Sequence, residues 1–273
     1  MFPEECHSDR KVPPHQFTAV DSQPDPRGSI DCLDRLQGEP FYAAYKARVA
    51  ELLAPRRGGR YLDVGGGTGD DARRVAGVAG ADVVVVDASR TMIEEATRRG
   101  VEHAYVGDAA DLPFPSQSFD GCWADRVFQH LADPGAALAE MIRVTRSGGH
   151  IVVADPDYDT QVVSTGSQEL ARRVFRYRAD HLLRHGTIAH QMGGRFAAAG
   201  LVDVSVEGRT LVVRDPAAVD NVMGLRSWAK SGWGEGVFTQ REVEIWEREI
   251  DEAIALGRFL YAVTFFITAG ARP

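Results

Sequence analysis

The segment RYLDVGGGTGDDARRVAGVA, residues 60–79, joins a short apolar run to a glycine-rich turn and then to a stretch of helical periodicity. Glycines let the backbone of such a turn touch a ligand, because a Cβ atom would collide with it. The dinucleotide fingerprint has glycines at its first, third and sixth positions, but the sixth position counted from Gly65 is Asp70. An aspartate there would repel a pyrophosphate at the helix N-terminus. The turn therefore favours a nucleotide-like ligand without phosphate, although taken alone it could be a loop with incidental glycines.

Apolar runs and helical patterns alternate on both sides of this turn. The run ADVVVVD, residues 81–87, is nearly continuous, as in a strand buried on both faces of a parallel sheet. Ser89 and Asp133 stand at N-cap positions, and Pro134 suits the first position of a helix. Strands are predicted at residues 60–64, 81–87, 103–108, 119–125, 150–155, 202–213 and 259–269. The alternation predicts an α/β fold with a doubly wound, Rossmann-like sheet of seven strands.

The regions outside this alternation are predicted to cover the sheet. Residues 1–28 are rich in proline and are expected to form a flexible arm ahead of one domain, residues 29–273. The core of that domain is predicted at residues 58–156, 188–214 and 258–271. A helical lid over the carboxyl ends of the strands is predicted from the N-terminal helices and two insertions, at residues 29–55, 157–187 and 215–257.

Composition narrows the class of protein. Hydrophobic residues make up 44% and charged residues 26% of the 273 residues, as in a globular domain with a full core. The net charge of -8 argues against nucleic acid as a partner. No apolar stretch reaches the length of about 18 residues that a membrane span needs. Cys6, Cys32 and Cys122 show no pairing pattern, so a reducing, cytoplasmic compartment is expected. The expected oligomeric state is a monomer or homodimer.

Asp87 ends the apolar run of the second strand, 18 residues after Gly69. In a βαβ unit an acid about 20 residues after the glycine turn binds ribose hydroxyls. A carboxylate can accept from both vicinal hydroxyls at once. Alone, Asp87 would be an ordinary residue of a strand-end turn. In register with the glycine turn, it predicts a ribose site.

Five segments in order resemble the class I S-adenosylmethionine-dependent methyltransferases of the ubiquinone/menaquinone-biosynthesis type, especially bacterial members that modify small molecules and natural products. They are DVGGGTGDDAR (63–73), VVVDASRTMIEEA (84–96), VGDAADLPFPSQSFD (106–120), ADRVFQHLADP (124–134) and EMIRVTRSGGHIVVADPD (140–157). The resemblance covers about residues 60–157 and implies S-adenosylmethionine as cofactor and a small-molecule acceptor. The sulfonium and ammonium groups of this cofactor would favour nearby acids, and it carries no phosphate.

The resemblance implies a set of cofactor-binding residues along these segments. They are Asp63, Gly65 and Gly67 for the methionine part, Asp87 for the ribose, Ala88 and Met92 beside the adenine, Asp108 and Ala109 for its amino group, Asp125 and Arg126 near the sulfonium, and Arg48 for the cofactor carboxylate. Arg48 is the weakest member of the set, because helix arginines are usually solvated.

Methyl transfer from a sulfonium is an in-line displacement that depends on holding the nucleophile behind the methyl group. His130 is the candidate general base, needed where the nucleophile keeps its proton at neutral pH. Its alternative role is that of a capping or hydrogen-bonded histidine on a short helix.

Aromatic residues are the candidates for an acceptor pocket, although packing within the lid is the alternative for most of them. The candidates are Tyr42, Tyr45, Tyr158, Trp228 and Trp233. Glycines 232, 234 and 236 predict a mobile loop around Trp233. No carboxylate or histidine cluster has metal-ligand spacing, so no metal is expected.

Two other functions on the same fold stay open at this point. A cyclase or pericyclase could use the cofactor structurally, and a non-catalytic protein could bind the cofactor alone. An RNA methyltransferase is disfavoured by the acidic composition and by the absence of a basic tail.

Overall fold

A computed structural model describes residues 19–37, 40–215 and 224–273. The helices are α1 (Arg27–Gln37), α2 (Pro40–Leu53), α3 (Asp70–Ala79), α4 (Arg90–Arg98), α5 (Pro134–Val144), α6 (Gln168–Tyr177), α7 (Ile188–Ala198), α8 (Leu225–Gly234) and α9 (Gln240–Ala255). The strands are β1 (Arg60–Val64), β2 (Asp82–Asp87), β3 (His103–Val106), β4 (Phe119–Asp125), β5 (Thr145–Val163), β6 (Val202–Val213) and β7 (Tyr261–Ala271). Shorter turns of helix span Val20–Ser22, Phe128–His130 and, as a π-helix, Arg178–Leu182.

The seven strands form one sheet in the order β3-β2-β1-β4-β5-β7-β6. Strands β1 to β5 run parallel, and β7 pairs antiparallel with both β5 and β6. The prediction of a doubly wound, seven-stranded α/β sheet is confirmed. The strand order reverses between β1 and β4, and ligands of such sheets bind at this switch point, beyond the carboxyl ends of the strands.

Helices cover both faces of the sheet. On one face α2, α3, α4, α6, α8 and α9 build a core around Tyr45, Trp123 and Trp246. On the other face α5 and α7 pack on Leu62 and Phe128. Alternate residues of β1 and β4 enter the two cores, so the side chains of Asp63 and Asp125 project on the face of α2.

Local signals in the sequence placed several element boundaries correctly. Ser89 caps α4, where its hydroxyl accepts a hydrogen bond from the amide of Met92 at 3.2 Å. Asp133 caps α5 through the amides of Gly135 and Ala136, with Pro134 at the start of the helix. Strand β4 has the predicted bounds.

Two predictions about the covering segments are wrong. Residues 157–163 continue β5 instead of starting an inserted helix, because β7 pairs with them at Asp157 and again at Val162 and Val163. The predicted loop at residues 232–236 is in part the end of α8. Gly232 suits that helix because an added Cβ would lie 2.4 Å from the Phe238 ring.

The segment before α1 is docked on α4 through Asp21. Its carboxylate accepts hydrogen bonds from the hydroxyl of Ser89 at 2.7 Å and from the amides of Arg90 and Thr91 at 2.8 and 3.1 Å. These bonds outweigh desolvation and lower the pKa of Asp21 to about 2. Residues 19–28 of the predicted flexible arm are therefore held in place. Residues 1–18 of that arm lie outside the described residues.

No helix in the described ranges is both long and apolar enough to cross a membrane. The division of the chain into core and lid stays a prediction apart from residues 157–163.

We predict that Asp21→Ala lowers the free energy of unfolding by about 1 kcal/mol, the usual effect of losing a helix cap. The loss should be present at neutral pH and fade as the pH falls through the folded pKa of about 2, where the carboxyl is protonated in both forms. Urea unfolding measures this loss of stability. The control is Glu94→Ala, which changes an exposed residue of α4. Equal stability of the two variants would contradict the assigned role.

Candidate functional site

The glycine turn opens at the carboxyl end of β1. Gly65 and Gly67 have φ of +68° and +53°, which side-chain-bearing residues rarely adopt. An added Cβ at Gly65 would lie 2.5 Å from a Val127 methyl, whereas at Gly67 the nearest atom is a Leu33 methyl at 3.5 Å. Gly65 is thus required by packing, and Gly67 by its backbone conformation beside a more open space.

Asp87 ties this turn to β2. Its two carboxylate oxygens accept hydrogen bonds from the amides of Gly67 at 2.9 Å and Ser89 at 2.8 Å. Burial still raises the pKa of Asp87, against the lowering effect of these bonds. Each oxygen keeps a further lone pair, so the carboxylate can also accept from two neighbouring hydroxyls.

Asp63 is a buried carboxylate without a full set of partners. The side chain is 2% exposed, and its Oδ2 has no hydrogen bond. Burial raises the pKa of Asp63 well above its ordinary value, with further contributions from Asp71 and Asp125, while the charge of Lys46 acts in the opposite direction. A cation beside Asp63 would satisfy the carboxylate and relieve this cost.

Asp125, at the end of β4, completes the acidic group. Its Oδ1 accepts a hydrogen bond from the Tyr45 hydroxyl at 2.5 Å, and its Oδ2 lies 3.5 Å from the ammonium of Lys46. Lys46 also forms an ion pair with Asp71. We call Asp63, Asp71, Asp125 and Lys46 the carboxylate cluster. Besides Lys46, Arg74 lies 3.3 Å from Asp71 and Arg126 lies 3.6 Å from Asp125, whereas Asp63 forms no ion pair among the described residues.

Lys46 was missed by the sequence analysis. The buried residues of α2 are Tyr42, Tyr45, Lys46, Val49 and Leu53. Their spacing places Lys46 on the apolar stripe of the helix, which is the signal that could have identified it.

Arg48 lies away from the cluster. Its guanidinium donates to Glu207 on β6, with Nε 2.9 Å from Oε2, and to Glu51 at 2.8 Å. The structure therefore does not bring Arg48 to the predicted cofactor carboxylate. Two positions along an α-helix differ by about 200° in direction, so Lys46 and Arg48 face opposite ways.

Arg126 lies beside the cluster in a left-handed backbone conformation, with φ of +60°. Its Nε is 3.6 Å from Asp125 Oδ2, and its guanidinium carbon lies 5.3 Å from the centre of the Tyr42 ring. Such conformations are costly for an arginine and concentrate at functional sites. Asp125 and Arg126 thus stand together at the end of β4, and their place near the sulfonium stays a prediction.

The remaining cofactor candidates lie toward β3. Gly107, next to Asp108, donates its amide to the carbonyl of Asp87 at 3.0 Å. The Asp108 carboxylate accepts from the Ala110 amide at 2.9 Å, and Ala109 is buried beside it. Ala88 directly follows Asp87.

Met92 is covered by the N-terminal part of the described chain. It packs with Val20, Ile30 and Leu33 in a small apolar cluster of its own. This cluster and Asp87 frame one side of the site.

The acceptor candidates divide into two groups. Tyr42 and Tyr45 pack edge-on against Phe265, with ring centres 5.9 and 5.1 Å away. Tyr158 and Trp228 are buried as well. Trp233 is 51% exposed and lies outside this group.

His130 ends the short helix that follows β4. Its amide donates to the carbonyl of Val127 at 2.9 Å, and the side chain is half-buried. Under the same helix Asp155 accepts from the amides of Phe128 and Gln129 at 3.3 and 3.5 Å. Burial raises the pKa of Asp155 well above its ordinary value.

Within the described ranges, no three histidine, cysteine or acidic side chains group as metal ligands would. Metal independence stays a prediction.

Comparison with known proteins places this site in context. Residues 62–153 match the family model of a methyltransferase domain. Over 281 aligned residues the chain is 32% identical to an uncharacterized 37.1 kDa protein in transposon TN4556 of Streptomyces fradiae, covering 100% of this chain and 79% of that protein. It is 38% identical to the demethylmenaquinone methyltransferase of Renibacterium salmoninarum over 117 residues, 42% of this chain and 49% of that enzyme.

Among solved structures, the phosphoethanolamine N-methyltransferase 2 of Haemonchus contortus in complex with S-adenosyl-L-methionine superposes with a TM-score of 0.54 at 20% identity. The match covers 84% of this chain and 52% of that one. This similarity concerns the fold, since the identity is low.

We predict that Asp63→Asn gains stability relative to the wild type as the pH rises. Between the ordinary pKa of 3.8 and the raised one, the folded wild type binds more protons than the unfolded chain, so its stability falls with rising pH. The variant lacks this term, and the difference should grow by at most about 1.4 kcal/mol per pH unit. Urea unfolding across pH measures it, with exposed Asp159→Asn as control. A difference that stays constant or shrinks with pH would be incompatible with the raised pKa.

Proposed function

We propose that this chain, which carries a methyltransferase domain at residues 62–153, transfers a methyl group from S-adenosylmethionine to a small-molecule acceptor. The observation that carries the proposal is the carboxylate cluster at the switch point of the sheet. There the buried Oδ2 of Asp63 has no hydrogen-bond donor, and Oδ2 of Asp125 has only ion-pair contacts with Lys46 and Arg126. A cofactor with two cationic groups and no phosphate matches that chemistry.

The residues of the site fit this cofactor part by part. Asp63 would hold the ammonium group, and the glycine turn would lie against the methionine chain. We assign to Lys46 the role that was predicted for Arg48. The Lys46 ammonium pairs with Asp71 and lies near Asp125, whereas the Arg48 guanidinium binds Glu207. It would pair with the cofactor carboxylate.

The nucleoside end follows from β2 and β3. Asp87 would accept from the ribose hydroxyls, and Asp108 from the adenine amino group. Ala88, Met92 and Ala109 would flank the ring. The docking of Val20, Ile30 and Leu33 on Met92 supports a closed apolar wall on this side.

Bound S-adenosylmethionine would supply an electrophilic methyl group on sulfur. The chain would contribute position and exclusion of water, since Tyr42, Tyr45 and Phe265 form a dry aromatic wall next to Asp125. Arg126 would lie at the boundary between cofactor and acceptor. We further propose that His130 takes a proton from the acceptor.

We also assign the reaction to the cytoplasm and to bacterial specialised metabolism. The Streptomyces fradiae relative supports a bacterial setting, and the free thiols of Cys32 and Cys122 support a reducing compartment.

Asp87→Ala should weaken binding of S-adenosylhomocysteine about 100-fold, because two hydrogen bonds to a charged acceptor are lost. Asp82→Ala, at the opposite end of the same strand, is the matched control and should bind like the wild type. Calorimetric titration of cofactor-free protein measures both, and thermal unfolding of Asp87→Ala checks that loss of the Gly67 and Ser89 contacts has not unfolded the variant. If the wild type does not bind, or both alanine variants bind equally, the assignment of the site is wrong.

His130→Gln should leave binding of S-adenosylhomocysteine unchanged and slow methyl transfer about 10²–10⁴-fold, the usual contribution of a general base. The assay follows radiolabelled methyl transfer to any phenol or aromatic acid of a panel that the wild type methylates. A variant as fast as the wild type would reduce His130 to a structural role. The protein could instead bind the cofactor and change a substrate chemically while the cofactor keeps its methyl group. That result would favour the cyclase alternative.

A further inference from the structure

Arg178 is a buried arginine between two aromatic rings. It is the first residue of the π-helix that continues α6, and it is 5% exposed. Its guanidinium carbon lies 3.9 Å from the centre of the Tyr158 ring and 4.0 Å from that of Trp228. Short π-helical segments inside longer helices are frequent at functional sites.

The hydrogen bonds around Arg178 join it to neutral groups. Its Nη1 donates to Gln161 Oε1 at 2.7 Å, and the same oxygen accepts from the Tyr261 hydroxyl at 2.9 Å. The Gln161 amide donates in turn to the carbonyl of Tyr158 at 2.7 Å. Among the residues that the structure describes, no carboxylate forms an ion pair with Arg178, whereas the nearby Arg176 pairs with Asp180 at 3.5 Å.

A buried cation without an anion is unfavourable, because burial removes its hydration. Two cation–π contacts offset part of this cost. They occupy the two faces of the guanidinium. The five N–H donors lie in its plane. One of them bonds to Gln161, and the Tyr158 and Tyr261 side chains are further hydrogen-bond partners of the guanidinium. An acid group in that plane would supply the missing negative charge.

Arg178 belongs to the acceptor side of the site. Tyr158 lies in β5 just beyond Asp155, whose side chain supports the helix that carries His130. Burial raises the pKa of Tyr158, and the charges of Arg178 and of Arg126 both oppose that rise. Tyr158 and Tyr42 belong to the same apolar core, in which Arg178 packs on Tyr158 and Arg126 packs on Tyr42 beside the carboxylate cluster.

We propose that Arg178 binds the acid group of the acceptor and that the acceptor is an aromatic carboxylic acid. The slot between Tyr158 and Trp228 holds one planar ion, and a carboxylate paired edge-on with the guanidinium continues the same plane into a conjugated ring. This inference rests on the proposed methyltransferase function and names its class of substrate.

The test uses the full chain saturated with S-adenosylhomocysteine. Benzoate and 4-hydroxybenzoate are titrated by calorimetry beside their uncharged amides and beside phenyl phosphate. The carboxylates should bind at least about tenfold tighter than the amides, as expected for a charge-assisted pair. Arg178→Met should abolish this preference, and the matched control Arg176→Met should keep it.

A second measurement distinguishes binding from structure. If the charge of Arg178 is balanced only when an anionic ligand binds, ligand-free Arg178→Met should melt at the same temperature as the wild type or higher. A structural arginine would lower the melting temperature on substitution. Arg178→Lys, which keeps the charge without the planar fork, should retain weaker carboxylate binding.

Several results would overturn the proposal. They are equal affinity of the wild type for carboxylates and amides, no carboxylate binding, tighter binding of phenyl phosphate than of benzoate, or a preference that survives in Arg178→Met. Failure of the proposed function is separate, because it appears as loss of S-adenosylhomocysteine binding in the wild type before any acid is added.

Discussion

The cost of burying carboxylates at one edge of a sheet governs this molecule. Asp63 and Asp125 lie at the carboxyl ends of β1 and β4, and Asp155 lies within the adjacent strand β5, one residue beyond the partner of Asp125. The fold removes all three side chains from water. The pKa values of Asp63 and Asp155 are raised well above the ordinary value because of that burial. Ionised carboxylates in such surroundings need a cation. Lys46 and Arg126 supply part of the compensation, and a cationic ligand would supply the rest.

The other parts of the site follow from the same edge. The strand order reverses between β1 and β4, which opens the crevice that the glycine turn lines. Asp87 holds that turn to β2 through the amide of Gly67, so the proposed ribose and methionine sites would form one unit. In the proposed function the acidic group would lie on the cofactor side, Arg126 at the boundary and Arg178 on the acceptor side. The charge of the site would then change sign along the path of methyl transfer.

Features encoded by neighbouring residues could be predicted from the sequence. The glycine turn, Asp87 at the end of an apolar run, and the caps Ser89 and Asp133 each depend on a few adjacent residues, and the structure has them where the patterns place them. Features that depend on partners far along the chain could not. The extension of β5 to Val163 requires pairing with β7, about 100 residues later. Arg178 gives no signal until Tyr158 and Trp228 enclose it.

The choice between Lys46 and Arg48 shows the limit for a single helix. Both are basic and lie two positions apart, and the sequence analysis chose Arg48 without considering Lys46. The buried stripe of α2 favours Lys46, and Glu207 on the distant strand β6 binds Arg48. The helix periodicity could have identified Lys46 from the sequence. The ion pair of Arg48 with β6 could be seen only in the folded structure.

The most direct measurement is the proton balance of cofactor binding. Calorimetric titrations with S-adenosylhomocysteine at a series of pH values above the ordinary pKa of 3.8, in buffers of different ionisation enthalpy, count the protons exchanged. If the ligand's ammonium pairs with Asp63, whose pKa is raised by burial in the free protein, binding must release protons, and Asp63→Asn must reduce that release. Binding without proton release, or with proton uptake, would contradict the account of a carboxylate cluster that awaits a cation.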